Sequence, residues 1–167
     1  MKFPTDIPTA VTSKEAAKLA DLAYGGTVLE LGAHFGFSTI VMADVANRVH
    51  SVDWHQGDPH AGLGNSLATF LDNLDSYGVR SRVTVHMGRF EHVLPTMRTG
   101  YFDGCFFDGS HDYDSIVEDI DLAYRLVRPG GWLAFHDYGR FDVSRALENT
   151  ISVPLTVIDS LAVCNKS

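Results

Sequence analysis

The sequence predicts a single α/β domain, with helices on both faces of a mostly parallel β-sheet. Three observations predict this fold. Short apolar runs alternate with amphipathic helical segments, glycines separate one from the next, and two apolar runs near the C-terminal end are joined by a tight turn. The 167 residues are within the usual range for one domain. We expect that domain to span residues 1–167, with residues 1–26 as an N-terminal helix and its lead-in.

The first half of the chain is predicted to supply three strands and three helices. The first helix has Ser13 as its candidate N-cap and ends at Gly25 and Gly26. A loop rich in glycine, proline and histidine is expected over residues 54–64. Helices are predicted at 13–24, 38–46 and 66–77, and strands at 27–31, 49–53 and 83–87.

The second half is predicted to complete the sheet. A helix over 114–127 has Ile116, Ile120, Ala123 and Val127 on one face, and residues 128–131 have the composition of a helix stop. Strands are predicted at 101–108, 132–135, 155–158 and 161–163, with a short helix at 143–149. Because helices separate the first five strands, these strands are expected to be parallel, and the last two to form an antiparallel hairpin.

Composition excludes several classes of partner. Lys and Arg total 13 against 21 Asp and Glu, for a net charge of -8, which argues against nucleic acid or an anionic membrane as the main partner. No apolar stretch is long enough for a membrane span or a signal peptide, so we expect a cytoplasmic protein. Cys105 and Cys164 lie in apolar runs without metal-ligand spacing and are expected to be buried, unreactive thiols.

Polar residues and glycines follow each of the first five predicted strands. In an open parallel sheet, ligands bind at the carboxyl ends of the strands, where these segments meet. Gly32 and Gly36 would let a ligand approach backbone N–H groups, and Asp53 is placed to accept hydrogen bonds from ribose hydroxyls. The alternative is a tight turn and a solvated strand end. Together the features favour a cofactor that contains adenosine.

The glycine spacing argues against a dinucleotide. The dinucleotide motif is Gly-x-Gly-x-x-Gly, whereas three residues separate just two glycines here, Gly32 and Gly36. Glu30 would also repel a pyrophosphate but would suit a ligand that carries an ammonium group. A nicotinamide-dependent oxidoreductase is therefore a disfavoured alternative.

Two sequence motifs resemble a known family. Residues 28–39 resemble the first motif of class I S-adenosylmethionine-dependent methyltransferases. Residues 101–113 together with 126–138 are similar to the small O-methyltransferases that include macrocin and cephalosporin-pathway enzymes, a branch like methyltransferase family 24. The resemblance implies a Rossmann-like three-layer sandwich with seven strands in the order 3-2-1-4-5-7-6, strand 7 being antiparallel. In that order the fifth strand separates Cys105 from Cys164, and no disulfide is expected between them.

The resemblance also implies a cofactor site for S-adenosylmethionine over the first two strands. One departure is Arg89, because family members often carry an acidic residue there that meets the adenine amino group. The expected cofactor contacts are Glu30, Gly32, Ala33, His34, Phe35, Gly36, Ser38, Asp53, Trp54, Gly88, Arg89, Phe90, Asp108, Gly109 and Ser110.

In the small O-methyltransferases that this sequence resembles, acidic residues after the fourth and fifth strands bind a divalent cation. The matching positions here are Asp108, His136 and Asp137, and their carboxylates suit Mg²⁺ or a similar ion. Asp108 and His111 are the expected catalytic residues, with His111 as general base. Helix capping and hydrogen bonding at strand ends are the alternative roles for these side chains.

The expected reaction is O-methylation of a hydroxyl on a small molecule or sugar, assisted by a divalent metal. A non-catalytic domain of the same fold that binds S-adenosylmethionine is the alternative. About 26 residues precede the first strand, and no long insertion follows the fifth, which predicts a short lid. Such an open site would suit a bulky acceptor, including a glycan, or closure by a second subunit in a homodimer.

Overall fold

Seven strands form one sheet in the computed structural model, which describes residues 3–58 and 62–167. The strands are β1 (Thr27–Leu31), β2 (Arg48–Asp53), β3 (Val83–Met87), β4 (Phe102–Phe107), β5 (Val127–Phe135), β6 (Thr156–Ile158) and β7 (Leu161–Asn165). Their order is β3-β2-β1-β4-β5-β7-β6, and β7 is antiparallel to both of its neighbours. The expected strand order 3-2-1-4-5-7-6 is confirmed.

Helices cover both faces of this sheet and bury two apolar clusters. The helices are α1 (Ser13–Ala23), α2 (Phe37–Val45), α3 (Leu67–Ser76), the single turn α4 (Phe90–Val93), α5 (Tyr113–Tyr124) and α6 (Val143–Thr150). One cluster packs under α1, α2 and α3 and includes Leu19, Ile40 and Phe70. The other packs under α5 and α6 and includes Ile120 and Leu147.

The N-cap of α1 is Thr12 rather than the expected Ser13. Thr12 and Glu15 form a capping box, in which the Glu15 N–H donates to the Thr12 hydroxyl at 3.3 Å. In return, the Thr12 N–H donates to Oε2 of Glu15 at 2.7 Å. The pattern Thr-x-x-Glu is a known signal for a helix start, so the sequence contained the information that corrects this prediction.

β5 is longer than expected, because the segment interpreted as a helix stop lies inside the strand. Helix α5 ends at Tyr124, and Val127 already pairs with Phe102 of β4. The ladder then shifts register before Gly104 pairs with Trp132. A Cβ atom on Gly104 would lie 2.0 Å from the Trp132 ring. The indole therefore fills the space of the missing side chain, a tertiary contact that local propensities do not reveal.

Other predictions concern smaller features. The loop predicted at 54–64 contains a short antiparallel ladder between Gly57–Asp58 and Gly62–Leu63, while residues 59–61 lie outside the described part of the chain. Cys105 and Cys164 both pair with Leu133 of β5 and are free, buried thiols, as expected from the strand order. In the described residues, no helix has the length and apolar character needed to cross a membrane.

Candidate active site

A large open cavity lies at the carboxyl ends of the parallel strands. Its volume is about 880 Å³, within the range of small-molecule and cofactor sites. Residues that follow β1, β2, β3, β4 and β5 line it, as the sequence predicts for an open parallel sheet. Residues 8–11, which precede α1, add a wall that the sequence did not indicate.

Asp53 shapes the loop after β1. Its Oδ2 accepts hydrogen bonds from the N–H groups of Ala33 at 2.7 Å and His34 at 2.8 Å, and its Oδ1 accepts from the N–H of His55 at 2.6 Å. The side chain also lines the cavity. Asp53 therefore holds the loop in shape in addition to facing the place where a ribose is expected.

Gly32 is the position in this loop that requires glycine. Its φ is +90°, and a Cβ atom there would lie 2.2 Å from the Asp108 carbonyl oxygen. L-residues with side chains rarely adopt such a φ, and the contact leaves no room for a methyl group. The loop after β1 and the loop after β4 thus meet backbone to backbone and form the floor of the cavity.

Glu30 does not face the cavity, which corrects its predicted role as a cofactor contact. Its side chain is 0% exposed, and its two oxygens accept hydrogen bonds from Ser38 Oγ at 2.6 Å and Thr39 Oγ1 at 2.5 Å. Burial outweighs these hydrogen bonds and raises the pKa of Glu30 to about 7. Glu30 therefore fixes the first turn of α2 instead of meeting an ammonium group.

Two of the predicted glycine contacts also serve other purposes. Gly36 is the N-cap of α2, with φ +91°, and packs over Phe70. The Gly88 N–H donates to the Asp53 carbonyl at 3.0 Å. Neither glycine lines the cavity. The predicted cofactor contacts that do line it are Gly32, Ala33, His34, Phe35, Ser38, Asp53, Trp54, Arg89, Phe90, Asp108, Gly109 and Ser110.

The cavity wall beyond β3 combines aromatic, basic and acidic groups. The Arg89 guanidinium lies 4.7 Å above the centre of the Trp54 ring, a cation–π distance. Asp119 of α5 lines the same cavity, and Ser110 is within hydrogen-bonding reach of its carboxyl group. Burial raises the pKa of Asp119 to about 7. Asp119 was not predicted as a site residue, although an acidic residue next to the apolar positions Ile116 and Ile120 on the same helix was a signal.

Asp108, His136 and Asp137 come together at the other end of the cavity. Nδ1 of His136 lies 3.1 Å from Oδ1 of Asp108 and 3.5 Å from Oδ2 of Asp137. Each of the three residues has one potential metal-ligand atom, a carboxylate oxygen or an imidazole nitrogen, and these atoms lie within 4.8 Å of one another. Two carboxylates and an imidazole at such separations can surround a divalent cation.

His111 joins this cluster through Asp137. Its Nε2 lies 3.3 Å from Oδ2 of Asp137, and both side chains are mostly buried. The hydrogen bond from His111, followed by that from His136, lowers the pKa of Asp137 well below its usual range. Asp137 has φ +58°, a left-handed backbone conformation that is uncommon for residues other than glycine, although aspartate adopts it more readily than most. The chain thus turns sharply after β5 and brings the carboxylate toward both histidines.

Opposing effects set the protonation of the other two residues. Burial by itself would lower the pKa of His136, but hydrogen bonds and charges from Asp108 and Asp137 raise it to about 10. Burial raises the pKa of Asp108, although its hydrogen bond with His136 opposes this. The two neighbouring carboxylates therefore favour the charged form of the His136 imidazole.

A buried acidic residue lies behind His136 and was also missed. Oε2 of Glu15 is 3.4 Å from Nε2 of His136, and the Glu15 side chain is 0% exposed. Arg140 and Phe141 line the cavity mouth nearby, and Nη1 of Arg140 lies 3.4 Å from Oδ1 of Asp137. Arg140 and Phe141 lie three and four residues after Asp137 in the sequence, and that proximity was the available signal for them.

Comparisons with known proteins agree with this geometry. The sequence model of a family described as a methyltransferase domain matches residues 29–138. A catechol O-methyltransferase of Mycobacterium tuberculosis is 34% identical over 130 residues, which are 75% of this chain and 56% of that protein. One of Niastella koreensis is 33% identical over 116 residues, 67% of this chain and 49% of that protein. The chain spans about half the length of these curated relatives.

A solved O-methyltransferase structure is also similar to this chain. The O-methyltransferase TomG from Streptomyces achromogenes, crystallised in complex with S-adenosylmethionine, is 25% identical and superposes with a TM-score of 0.65. The match covers 87% of this chain and 63% of TomG. The family model includes the loop after β1 and the Asp108, His136 and Asp137 cluster. This chain therefore belongs to the methyltransferase-domain family, within the class I S-adenosylmethionine-dependent methyltransferases.

Proposed function

We propose that this chain transfers the methyl group of S-adenosylmethionine to a hydroxyl oxygen of a small molecule or glycan, with the assistance of a divalent cation. One observation carries the proposal. A single cavity joins the loop held by Asp53 to the cluster of Asp108, His136 and Asp137, with His111 beside it. The catechol O-methyltransferase relatives and the S-adenosylmethionine complex of TomG support the same reaction class.

The loop after β1 is suited to receive the cofactor because its shape is fixed in advance. Asp53 already satisfies the N–H groups of Ala33 and His34, so little ordering remains to be done on binding. Adenine presents an amino donor and ring-nitrogen acceptors. Ser110 and Asp119 offer complementary groups on the wall of the cavity, which Trp54 also lines. In family members an acidic residue at the position of Arg89 often meets the adenine amino group. In this chain Ser110 and Asp119 would make that contact instead.

The cation site fits the residues that form it. Mg²⁺ in proteins commonly uses one or two carboxylates and keeps several waters, and an imidazole ligand extends the fit to ions such as Mn²⁺. Asp108, His136 and Asp137 supply this donor set. A divalent cation bound there would lower the pKa of an acceptor hydroxyl and hold its oxygen in place.

The remaining work is positioning and proton transfer. The acceptor oxygen forms a bond to the methyl carbon as the carbon–sulfur bond breaks, and the electron pair of that bond stays on sulfur to give S-adenosylhomocysteine. Because the sulfonium is already activated, most of the rate comes from holding the two reactants in line. His111, oriented by Asp137 at 3.3 Å, accepts the hydroxyl proton.

Calorimetric titration tests the cofactor assignment. We expect S-adenosylmethionine and S-adenosylhomocysteine to bind and NAD not to bind, because the glycine spacing does not serve a pyrophosphate. Absence of binding by both adenosyl ligands would refute the proposed function.

Methyl transfer to a panel of catechols, phenols and sugars tests the reaction. We expect turnover that requires Mg²⁺ or Mn²⁺ and falls at least about 100-fold in Asp137→Ala, since that residue contributes to both the cation site and the orientation of His111. Asp114→Ala, an exposed position on α5, is the matched control. Binding without transfer to any acceptor would favour the non-catalytic alternative, and turnover without divalent ions would reject the metal role.

A further inference from the structure

The fully buried carboxylate of Glu15 connects the N-terminal helix to the candidate cation site. Its Oε2 lies 3.4 Å from Nε2 of His136, on the side of the ring opposite the cavity carboxylates. The other ring nitrogen, Nδ1, lies 3.1 Å from Oδ1 of Asp108. His136 thus stands between an inner carboxylate and the two carboxylates that line the cavity.

Glu15 is held in this position from two sides. Its Oε2 accepts the Thr12 N–H at 2.7 Å, and its Oε1 accepts both the N–H and the hydroxyl of Ser160 at 2.7 and 2.8 Å. Ser160 belongs to the turn between β6 and β7. Three hydrogen-bond donors hold the carboxylate, one from Thr12 and two from Ser160. The carboxylate therefore cannot turn away from the His136 imidazole without breaking hydrogen bonds.

Helix capping alone does not explain a carboxylate at this position. The capping box accepts glutamine as readily as glutamate, and burying a charged group is costly unless it has specific partners. Among the described residues, the carboxylate oxygen within ion-pair distance of Nε2 of His136 is Oε2 of Glu15. Nε2 itself makes no hydrogen bond to a described residue. The charge of Glu15 therefore has a partner in the site, which its role in α1 does not require.

We propose that Glu15 is a positioning residue for cation binding, which keeps the proton of His136 on Nε2 and so directs the Nδ1 lone pair toward the cation site. Metal-binding histidines commonly have such a second partner, which fixes the tautomer and strengthens the metal bond. The inference rests on the proposed function, since it assumes that Asp108, His136 and Asp137 bind a divalent cation. It adds a residue from outside the part of the chain that the family model matches, residues 29–138.

Replacing Glu15 with glutamine separates the two roles of this side chain. Glu15→Gln keeps the size of the side chain and an oxygen that can accept the Thr12 N–H, but it removes the charge beside His136 and replaces the oxygen that accepts from Ser160 with an amide NH₂ group. We expect the dissociation constant for Mn²⁺, measured by titration of the S-adenosylhomocysteine complex with electron paramagnetic resonance, to rise about 10-fold or more. The affinity for S-adenosylhomocysteine should stay within about twofold, because Glu15 does not line the cavity.

Thr12→Ala is the matched control. It removes the capping hydroxyl and lowers the melting temperature, but it leaves the Glu15 carboxylate beside His136, so Mn²⁺ affinity should remain that of the wild type. An unchanged Mn²⁺ affinity in Glu15→Gln would overturn the inference, as would an equal loss in both variants. Wild-type protein that binds no Mn²⁺ would instead refute the metal role in the proposed function, and the inference with it.

Nitrogen-15 NMR of the wild-type Mg²⁺ complex provides a test that needs no variant. We expect the side-chain shifts of His136 to report a proton on Nε2 and a lone pair on Nδ1. The opposite tautomer would overturn the inference, whether or not Glu15→Gln folds.

Discussion

Replacing Glu30 with glutamine should change the pH dependence of stability more than stability itself. Glu30 is fully buried, and both carboxylate oxygens accept hydroxyl hydrogen bonds from Ser38 and Thr39. A glutamine has one acceptor oxygen, so one hydroxyl must reverse and accept from the amide instead. We expect Glu30→Gln to lose about 1–3 kcal/mol of unfolding free energy at pH 5, where Glu30 is protonated in the folded protein.

The wild type should lose stability as the pH rises, and the variant should not share this loss. Burial raises the pKa of Glu30 from 4.5 to about 7 in the folded protein. Between these values the folded state binds the proton more tightly than the unfolded state, so stability is greatest below pH 4.5 and falls as the pH approaches and passes 7. At about 1.36 kcal/mol per pKa unit, the loss between pH 5 and pH 8 is about 2–3 kcal/mol.

Urea denaturation followed by circular dichroism at pH 5 and pH 8 measures this difference. The unfolding free energy of the wild type minus that of Glu30→Gln should be about 2–3 kcal/mol smaller at pH 8 than at pH 5, and this difference can become negative. Glu148→Gln, an exposed position on α6, should show a difference that does not change with pH. If the Glu30→Gln difference also stayed constant within about 0.5 kcal/mol, burial of an ionisable Glu30 would be refuted.

Two further substitutions test the floor and the wall of the cavity. Gly32→Ala should lower the free energy of unfolding by about 3 kcal/mol or more, because the methyl group would lie 2.2 Å from the Asp108 carbonyl oxygen. Gly25→Ala, also at positive φ but with nothing within 4 Å, should cost about 1 kcal/mol in the same urea titration, and equal losses would contradict the contact. Asp119→Asn should raise the melting temperature at pH 8 by about 2–4 °C, because it removes a buried charge. It should also weaken S-adenosylhomocysteine binding about 10-fold in calorimetry, whereas the exposed Asp121→Asn should do neither.

The sheet was largely predictable because its determinants are local or belong to motifs. Five apolar runs separated by helical segments predicted parallel strands, and the resemblance supplied their order. The bounds of β5 were not predictable in the same way. Residues 128–131 have the composition of a helix stop, yet they lie inside the strand, where the β4–β5 ladder shifts register between the pairs Phe102–Val127 and Gly104–Trp132.

The candidate site was predictable where residues follow strands directly. Asp108, His111, His136 and Asp137 were found from their positions at strand ends, where the topology brings them together. The role of Glu30 was not predictable, since an acidic residue before a glycine loop suits either a ligand or an internal hydrogen bond.

The predictions also failed for residues that enter the site from outside the strand ends. Asp119 approaches the cavity from the middle of α5, and Glu15 reaches His136 from the first turn of α1. Their positions depend on helix packing rather than on the sequence around them.

The hydrogen bonds between Glu15 and Ser160 tie the surroundings of His136 to a distant part of the sequence. They join positions 145 residues apart. Such a contact depends on tertiary structure, because the loop-closure entropy between distant segments is repaid only by contacts made across the fold. The buried carboxylate beside Nε2 of His136 is therefore held in place by the packing of the β6–β7 turn against α1, and not by α1 alone.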